Sequence, residues 1–158
     1  MRRRTILGLG VSCLLAACAH QGEAPSAGMA WSLHNAEGEG AKLAYGQPSS
    51  DNVLLMMTCA PRSGAVRVSL ATAADEVPGA IALESDGQVS RLSGQALPGM
   101  GEGSALLEAE TRATDPALAS FARTGDLSVI QNGRNAVLPV RSQEKATVRA
   151  FFNACRAA

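Results

Sequence analysis

The chain has 158 residues, 14 basic and 14 acidic side chains in formal balance, and a composition that is 46% hydrophobic but only 3% aromatic. That length suits one ordinary domain with a buried core, and the balanced charge lacks the basic footprint of a nucleic-acid binder. Five aromatic residues (Trp31, Tyr45, Phe121, Phe151 and Phe152) are too few to build a stacking platform for bases or sugars.

The chain opens with Arg2-Arg3-Arg4, an apolar segment from Ile6 to Ala17, and small residues in front of Cys18. This is the layout of a secretory signal, and its apolar part falls short of the ~20 residues that a membrane-spanning helix needs. Leu15-Ala16-Ala17-Cys18 resembles the bacterial lipobox, whose cysteine is thioether-linked to diacylglycerol before the signal is cut away. Cys13 competes for that role, but Gly10-Val11-Ser12 precedes it and the apolar segment would be halved. The expected layout is a signal over 1–17, with Cys18 as the lipid-bearing first residue of the mature chain. An ordinary cleaved signal is the plain alternative. Acyl chains contribute about 0.8 kcal/mol per buried methylene, so two or three of them make attachment effectively permanent. Ala19 stands where an inner-membrane retention signal in enterobacteria would place Asp, so the resemblance implies the periplasmic face of the outer membrane.

Removing 17 of the 158 residues leaves 141, and losing the three signal arginines leaves 11 basic against 14 acidic residues, a formal charge of −3. Residues 18–28 have no apolar periodicity and read as a flexible tether reaching roughly 16 to 19 Å. The remainder, 29–158, reads as a single β-rich domain.

In that domain the dominant period is two. Met29 to Leu33 and Leu43 to Tyr45 alternate on either side of the turn residues Glu37 to Gly40, which predicts a hairpin. Val53 to Met57 is continuously apolar and suits a central strand covered on both faces. Val66 to Leu70 alternates with Arg67 and Ser69 toward water. Ile81 to Leu83 and Val89 to Leu92 flank Asp86-Gly87, and Leu127 to Val129 and Val137 to Val140 flank Asn132-Gly133, both strong hairpin signals. A further strand, Ala105 to Glu110, follows the glycine-rich loop Pro98 to Ser104. About eight short strands of this kind predict a mainly β fold, an antiparallel sandwich or barrel.

Helical signals occur twice. Asp115 caps and Pro116 opens a short helix with Leu118, Phe121 and Ala122 on one face and Gly125 as its stop. The second begins near Ser142, with Glu144 in its first turn. Val148, Phe151, Phe152 and Cys155 follow the i, i+3, i+4, i+7 spacing of a buried face, which turns Cys155 inward. With Cys13 removed and Cys18 committed to lipid, Cys59 and Cys155 are left as the only pair in an oxidising compartment. They are expected to form a disulfide that pins the C-terminal helix to the sheet.

Ser142-Gln-Glu-Lys145, Ser50-Asp51-Asn52 and Arg123-Thr124-Gly125 approximate the three motifs of serine β-lactamases and penicillin-binding proteins. Their order is wrong, because the nucleophile motif should come first, and the chain is about half the size such a fold requires. His20 in the tether and His34 in the first strand have no second histidine nearby, so no metal or cofactor is expected. Glu37 with Glu39, and Glu108 with Glu110, could be offered as acid and base pairs, but solvent exposure explains them. The loop Pro98 to Ser104 matches no phosphate-binding pattern.

A tryptophan opening the domain, Leu43-Ala-Tyr45-Gly, Cys59 ending an apolar strand, Asp115-Pro-x-Leu118-x-x-Phe121 and a final Phe151-Phe-x-x-Cys155 together resemble small proteobacterial lipoproteins of the cell envelope. The resemblance spans nearly all of the domain, implies its fold and carries over no catalytic residues. The expected function is a non-enzymatic, lipid-anchored envelope module that binds a protein or cell-wall partner or supports an assembly. The competing expectation is a small periplasmic hydrolase, or an inhibitor that regulates an enzyme, with a site built from loops such as Pro98 to Ser104.

Overall fold

Both two-residue turns adopt the left-handed backbone that makes tight hairpins. Asp86 and Gly87 have φ of 49° and 75°, and Asn132 and Gly133 have φ of 50° and 73°. Positive φ at both central residues gives the chain a twist matching that of the flanking strands, and Asp-Gly and Asn-Gly tolerate it at least cost. These hairpins belong to a computed structural model that describes residues 28–36 and 39–156. The signal, Cys13, Cys18, His20, Glu37 and nearly all of the tether lie outside the described residues.

Among the described residues nine strands form one antiparallel sheet curled into a half-barrel: β1 Ala30–Ala36, β2 Gly40–Gly46, β3 Val53–Cys59, β4 Ala65–Ala73, β5 Ala80–Ser85, β6 Gln88–Pro98, β7 Ser104–Arg112, β8 Ser128–Gln131 and β9 Arg134–Val137. Their spatial order is β1-β2-β3-β4-β7-β6-β5-β8-β9, so the second meander β5-β6-β7 is laid down in reverse beside β4. Two helices, α1 Pro116–Thr124 and α2 Lys145–Cys155, pack on the inner face. The mainly β antiparallel class, the short helix and the C-terminal helix on the sheet all agree with the sequence.

The inner face holds the core. Leu43, Leu55, Met57, Val68, Leu70, Leu83 and Leu107 project from the strands and are at most 1% exposed. Facing them, α1 buries Leu118 and Phe121, and α2 buries the four residues its periodicity marks, Val148, Phe151, Phe152 and Cys155. All five aromatic rings join one chain of contacts, from Tyr45 to Trp31, Phe121, Phe152 and Phe151, with centroids 5.0 to 5.9 Å apart. Such tilted and edge-to-face pairs add about 0.5 to 1.5 kcal/mol each beyond their burial. The Cys59–Cys155 disulfide is present, with Cα atoms 5.7 Å apart, and ties the end of α2 to the end of β3. Arg62 N–H to Ala154 O (2.9 Å) and Gly64 N–H to Cys155 O (2.8 Å) fix the same junction.

Caps set the helix ends. The Asp115 carboxylate accepts from Ala117 N–H (3.1 Å) and from the Ser90 and Thr111 hydroxyls, and Gly125 closes α1 with φ of 80°. The second α-helix starts at Lys145, three residues after Ser142. A 3-10 turn, Ser142–Glu144, comes first, and the buried Glu144 carboxylate reaches back to Arg141 N–H (2.9 Å). The Arg141 guanidinium in turn donates to Met29 O (2.7 Å), joining this turn to the start of β1.

Three strand assignments change. The Val53–Met57 run is not fully buried on both faces: Leu55 and Met57 point inward, Leu54 sits half-buried at a register shift and packs against the core, and Met56 is half-buried on the other face. The partner of β8 is Arg134–Val137, not Val137–Val140, because the Asn132-Gly133 turn lets pairing resume at once, with Gln131 opposite Arg134. That strand forms the last edge of the sheet and carries polar residues, so it lacks the apolar alternation that marks inner strands. The strand expected over Val89 to Leu92 extends to Pro98, with Gly94 inside it.

Candidate binding groove at the strand β6 corner

Strand β6 is the longest, at 11 residues, and it changes partner midway. Gln88 to Ser93 pair with β5, and Gly94 to Pro98 pair with β7. Gly94 stands at the change. A Cβ there would lie 2.6 Å from the Glu108 carbonyl oxygen and 2.9 Å from Leu107 Cδ1, so only glycine lets β6 approach β7 at this corner. Beyond the last pair, Gly94 opposite Ala109, the strands part: β6 turns toward β5 while β7 continues along β4 to Arg112. On the inner side, the Asp115, Ser90 and Thr111 cap network lies at this divergence.

On the outer side the corner opens as a groove of about 430 Å³, lined by Arg67 of β4, Glu108 and Glu110 of β7, and Ser93, Gln95 and Leu97 of β6. That volume is within the range of small-ligand sites, roughly 300 to 1,000 Å³. Register explains how these residues meet. Arg67 is opposite Glu110, Ser69 is opposite Glu108, and Glu108 is opposite Gln95 on its other side. The Arg67 guanidinium donates to Glu110 Oε1 at 3.1 Å. Ser69 donates its hydroxyl to Glu108 Oε1 at 3.0 Å. Among the described residues no Lys or Arg forms an ion pair with Glu108, so the groove carries one carboxylate more than its cations neutralise.

Expectations for these positions change accordingly. Ser69 does not face water: it is 2% exposed, buried on the outer face between its neighbours and bonded to Glu108. Glu108 is half-buried, while Glu110 and Arg67 are exposed. Glu39 is exposed in the first hairpin, and hydrogen bonding and charge from Lys42 hold its carboxyl below the usual range. His34 is exposed on β1. The three motif fragments do not assemble: Ser50 accepts from Asn52 N–H (3.1 Å) inside its own loop. Lys145 lies beside Arg123 to Gly125 in a crevice of about 10 Å³, and Ser142 does not line it. A space of that size admits at most one water. Among the described residues no group of three or more His, Cys, Asp and Glu could hold a metal, and no helix is long and apolar enough to cross a membrane.

Burial holds the Tyr45 phenol above its ordinary value, the Glu144 charge acts in the same direction, and Arg141 opposes both. That phenol belongs to the core and is remote in the sheet from β6, which is four places from β2 in strand order. The groove itself escaped sequence reasoning, although one signal was available: Gly94-Gln-Ala-Leu-Pro98 is an uncharged run continuing an alternating strand. The chain matches no family model, no curated protein and no solved structure.

Proposed function

We propose that this chain is a lipid-anchored binding module of a bacterial envelope, held by Cys18 at the periplasmic face of the outer membrane and engaging a protein partner through its outer sheet face. The observation supporting a binding role is the outer groove, preformed by backbone topology and lined by Arg67, Glu108, Glu110 and Gln95. The address rests on Leu15-Ala-Ala-Cys18, together with a buried disulfide of the kind that persists in oxidising compartments.

The orientation on the membrane follows from register. Ala30, Gly46, Val53, Thr72, Ala105 and Pro98 form one row across the sheet, so the start of β1 shares a pole with the loops 47–52, 74–79 and 99–103. A tether from Cys18 therefore brings that pole toward the bilayer. Replacing Cys18 with serine tests the address: the variant should leave the membrane fraction, and one that still sediments with membranes after a high-salt wash overturns it. Recovery of a stoichiometric protein partner from detergent-solubilised envelope tests the role, and turnover of a wall-derived substrate without any such partner reverses it.

A further inference from the structure

We propose that the free edge of β6, Gly94–Pro98, together with the groove beside it, takes an extended peptide that adds as a further strand and sets a lysine or arginine against Glu108. The inference deepens the binding role proposed above and rests on it.

Over Gly94 to Pro98 one side of β6 pairs with β7, but β5 reaches only as far as Ser93. Among the described residues no other backbone hydrogen bond reaches these five. Gln95, Ala96, Leu97 and Pro98 are exposed, including Ala96, whose side chain is on the inner face. Exposed strand edges are usually guarded by charge, by proline or by covering structure. The outer edges of the sheet are guarded in part, although Ala30–Ala36 of β1 is itself uncharged and free of proline. β1 is bridged by Trp31 Nε1–H to Leu138 O (3.3 Å) and by Arg141 at Met29, and β9 is four residues long and begins with Arg134. Gly94–Pro98 carries no charge, and its only proline is at the end, where the strand stops.

Charge selects the occupant. A strand added at this edge would lie about 4.8 Å from β6, and its outward side chains would stand beside Gln95 and Leu97. One strand further is Glu108, directly across from Gln95. Glu110 already holds Arg67, whereas among the described residues Glu108 holds only the Ser69 hydroxyl. A long cationic side chain passing over Gln95 meets that carboxylate, and apolar neighbours in the peptide meet Leu97, which is 41% exposed. A second copy of the chain fits less well. Antiparallel β6 to β6 pairing turns the partner end for end, so its tether would leave from the pole facing away from the membrane. Strands of seven residues are about 23 Å long, beyond the roughly 16 to 19 Å average span of the tether as a coil, so such a pair would hold one tether stretched.

The test uses the full lipidated chain in detergent and three seven-residue peptides of alternating threonine and valine, blocked at both ends. One has a central lysine, one has norleucine in its place, and one has lysine but N-methyl groups on alternate amides. The lysine peptide should bind saturably and slow amide exchange at Gln95 to Leu97. Norleucine should weaken binding about tenfold, the scale of one charge-assisted hydrogen bond, and N-methylation should abolish it. Glu108→Gln should bring the lysine peptide down to the norleucine level while leaving the thermal midpoint unchanged. Equal binding of all three peptides, no saturable binding at millimolar concentration, protection elsewhere than β6, or self-association through this edge would each overturn the proposal. Recovery of a stoichiometric envelope partner without peptide binding at β6 leaves the binding role standing and removes this edge, whereas turnover of a wall-derived substrate without any partner removes the role itself, so the two failures are distinguishable.

Discussion

Removing the disulfide by replacing both Cys59 and Cys155 with alanine tests how the C-terminal helix is held. The two residues are 96 apart in sequence, and closing a loop of that size removes about 4.7 kcal/mol of denatured-state entropy in the chain-entropy treatment. Measured losses for small secreted domains are typically about 2 to 5 kcal/mol. The native junction also has the two backbone bonds from Arg62 and Gly64, which survive the replacement. The expected loss is therefore about 2 to 4 kcal/mol, the lower part of that span. Trp31 is the only tryptophan, is 4% exposed and stacks on Phe121, which touches Phe152 of α2, so its fluorescence reports the helix seat directly. Urea titration should show a lower midpoint and a steeper slope, since an uncrosslinked denatured chain exposes more surface. Reducing the wild-type protein should reproduce both changes. A loss below about 1 kcal/mol with an unchanged slope would refute the reasoning and mean that the aromatic contacts and backbone bonds hold α2 unaided.

Two further outcomes are expected from the core and the corner. Tyr45 is the only tyrosine, so a near-ultraviolet absorbance titration reads it alone; its burial should place phenolate formation above the usual value near ~10. Because the folded value is raised, the native state keeps a proton that the unfolded state loses, and the associated stability is complete below ~10 and declines as pH rises toward the folded value. Ionisation of the folded protein at or below the ordinary value would contradict this. Gly94→Ala should destabilise the fold by about 1 to 3 kcal/mol, because the added Cβ meets a backbone carbonyl that cannot move without opening the β6 to β7 ladder. An unchanged urea midpoint would show that the corner has room the geometry denies.

Much of the inner face was legible in the sequence because its signals are local. Asp86-Gly87 and Asn132-Gly133 fix two hairpins, Asp115-Pro116 and Gly125 bound α1, and the spacing of Val148, Phe151, Phe152 and Cys155 names the buried stripe of α2. Even the disulfide was accessible, since subtraction left one pair and helical period aimed one member inward. Strand pairing was not accessible in the same way. That β4 pairs with β7 while the intervening β5 and β6 are laid down beyond β7 depends on side chains 30 or more residues apart; the bond between Ser69 and Glu108, for example, spans 39. Alternation says which residues share a face of one strand, and it does not say which strand is next door.

The groove lies at that blind spot. Arg67, Glu108, Glu110 and Gln95 each read singly as polar residues on solvent faces, and three of them are exposed. Only register brings them together, and only Gly94 lets β6 lie this close to β7 at the point where the two strands part. A glycine inside an alternating run reads locally as the end of a strand, because it weakens an isolated strand and offers no side chain to pack. Here the strand continues through it, since the change of partner gives each half its own ladder. Gly94 is therefore the residue at which the corner is built. The uncharged edge running from it to Pro98 is left by the same change of partner, so the groove and the free edge have a common structural origin.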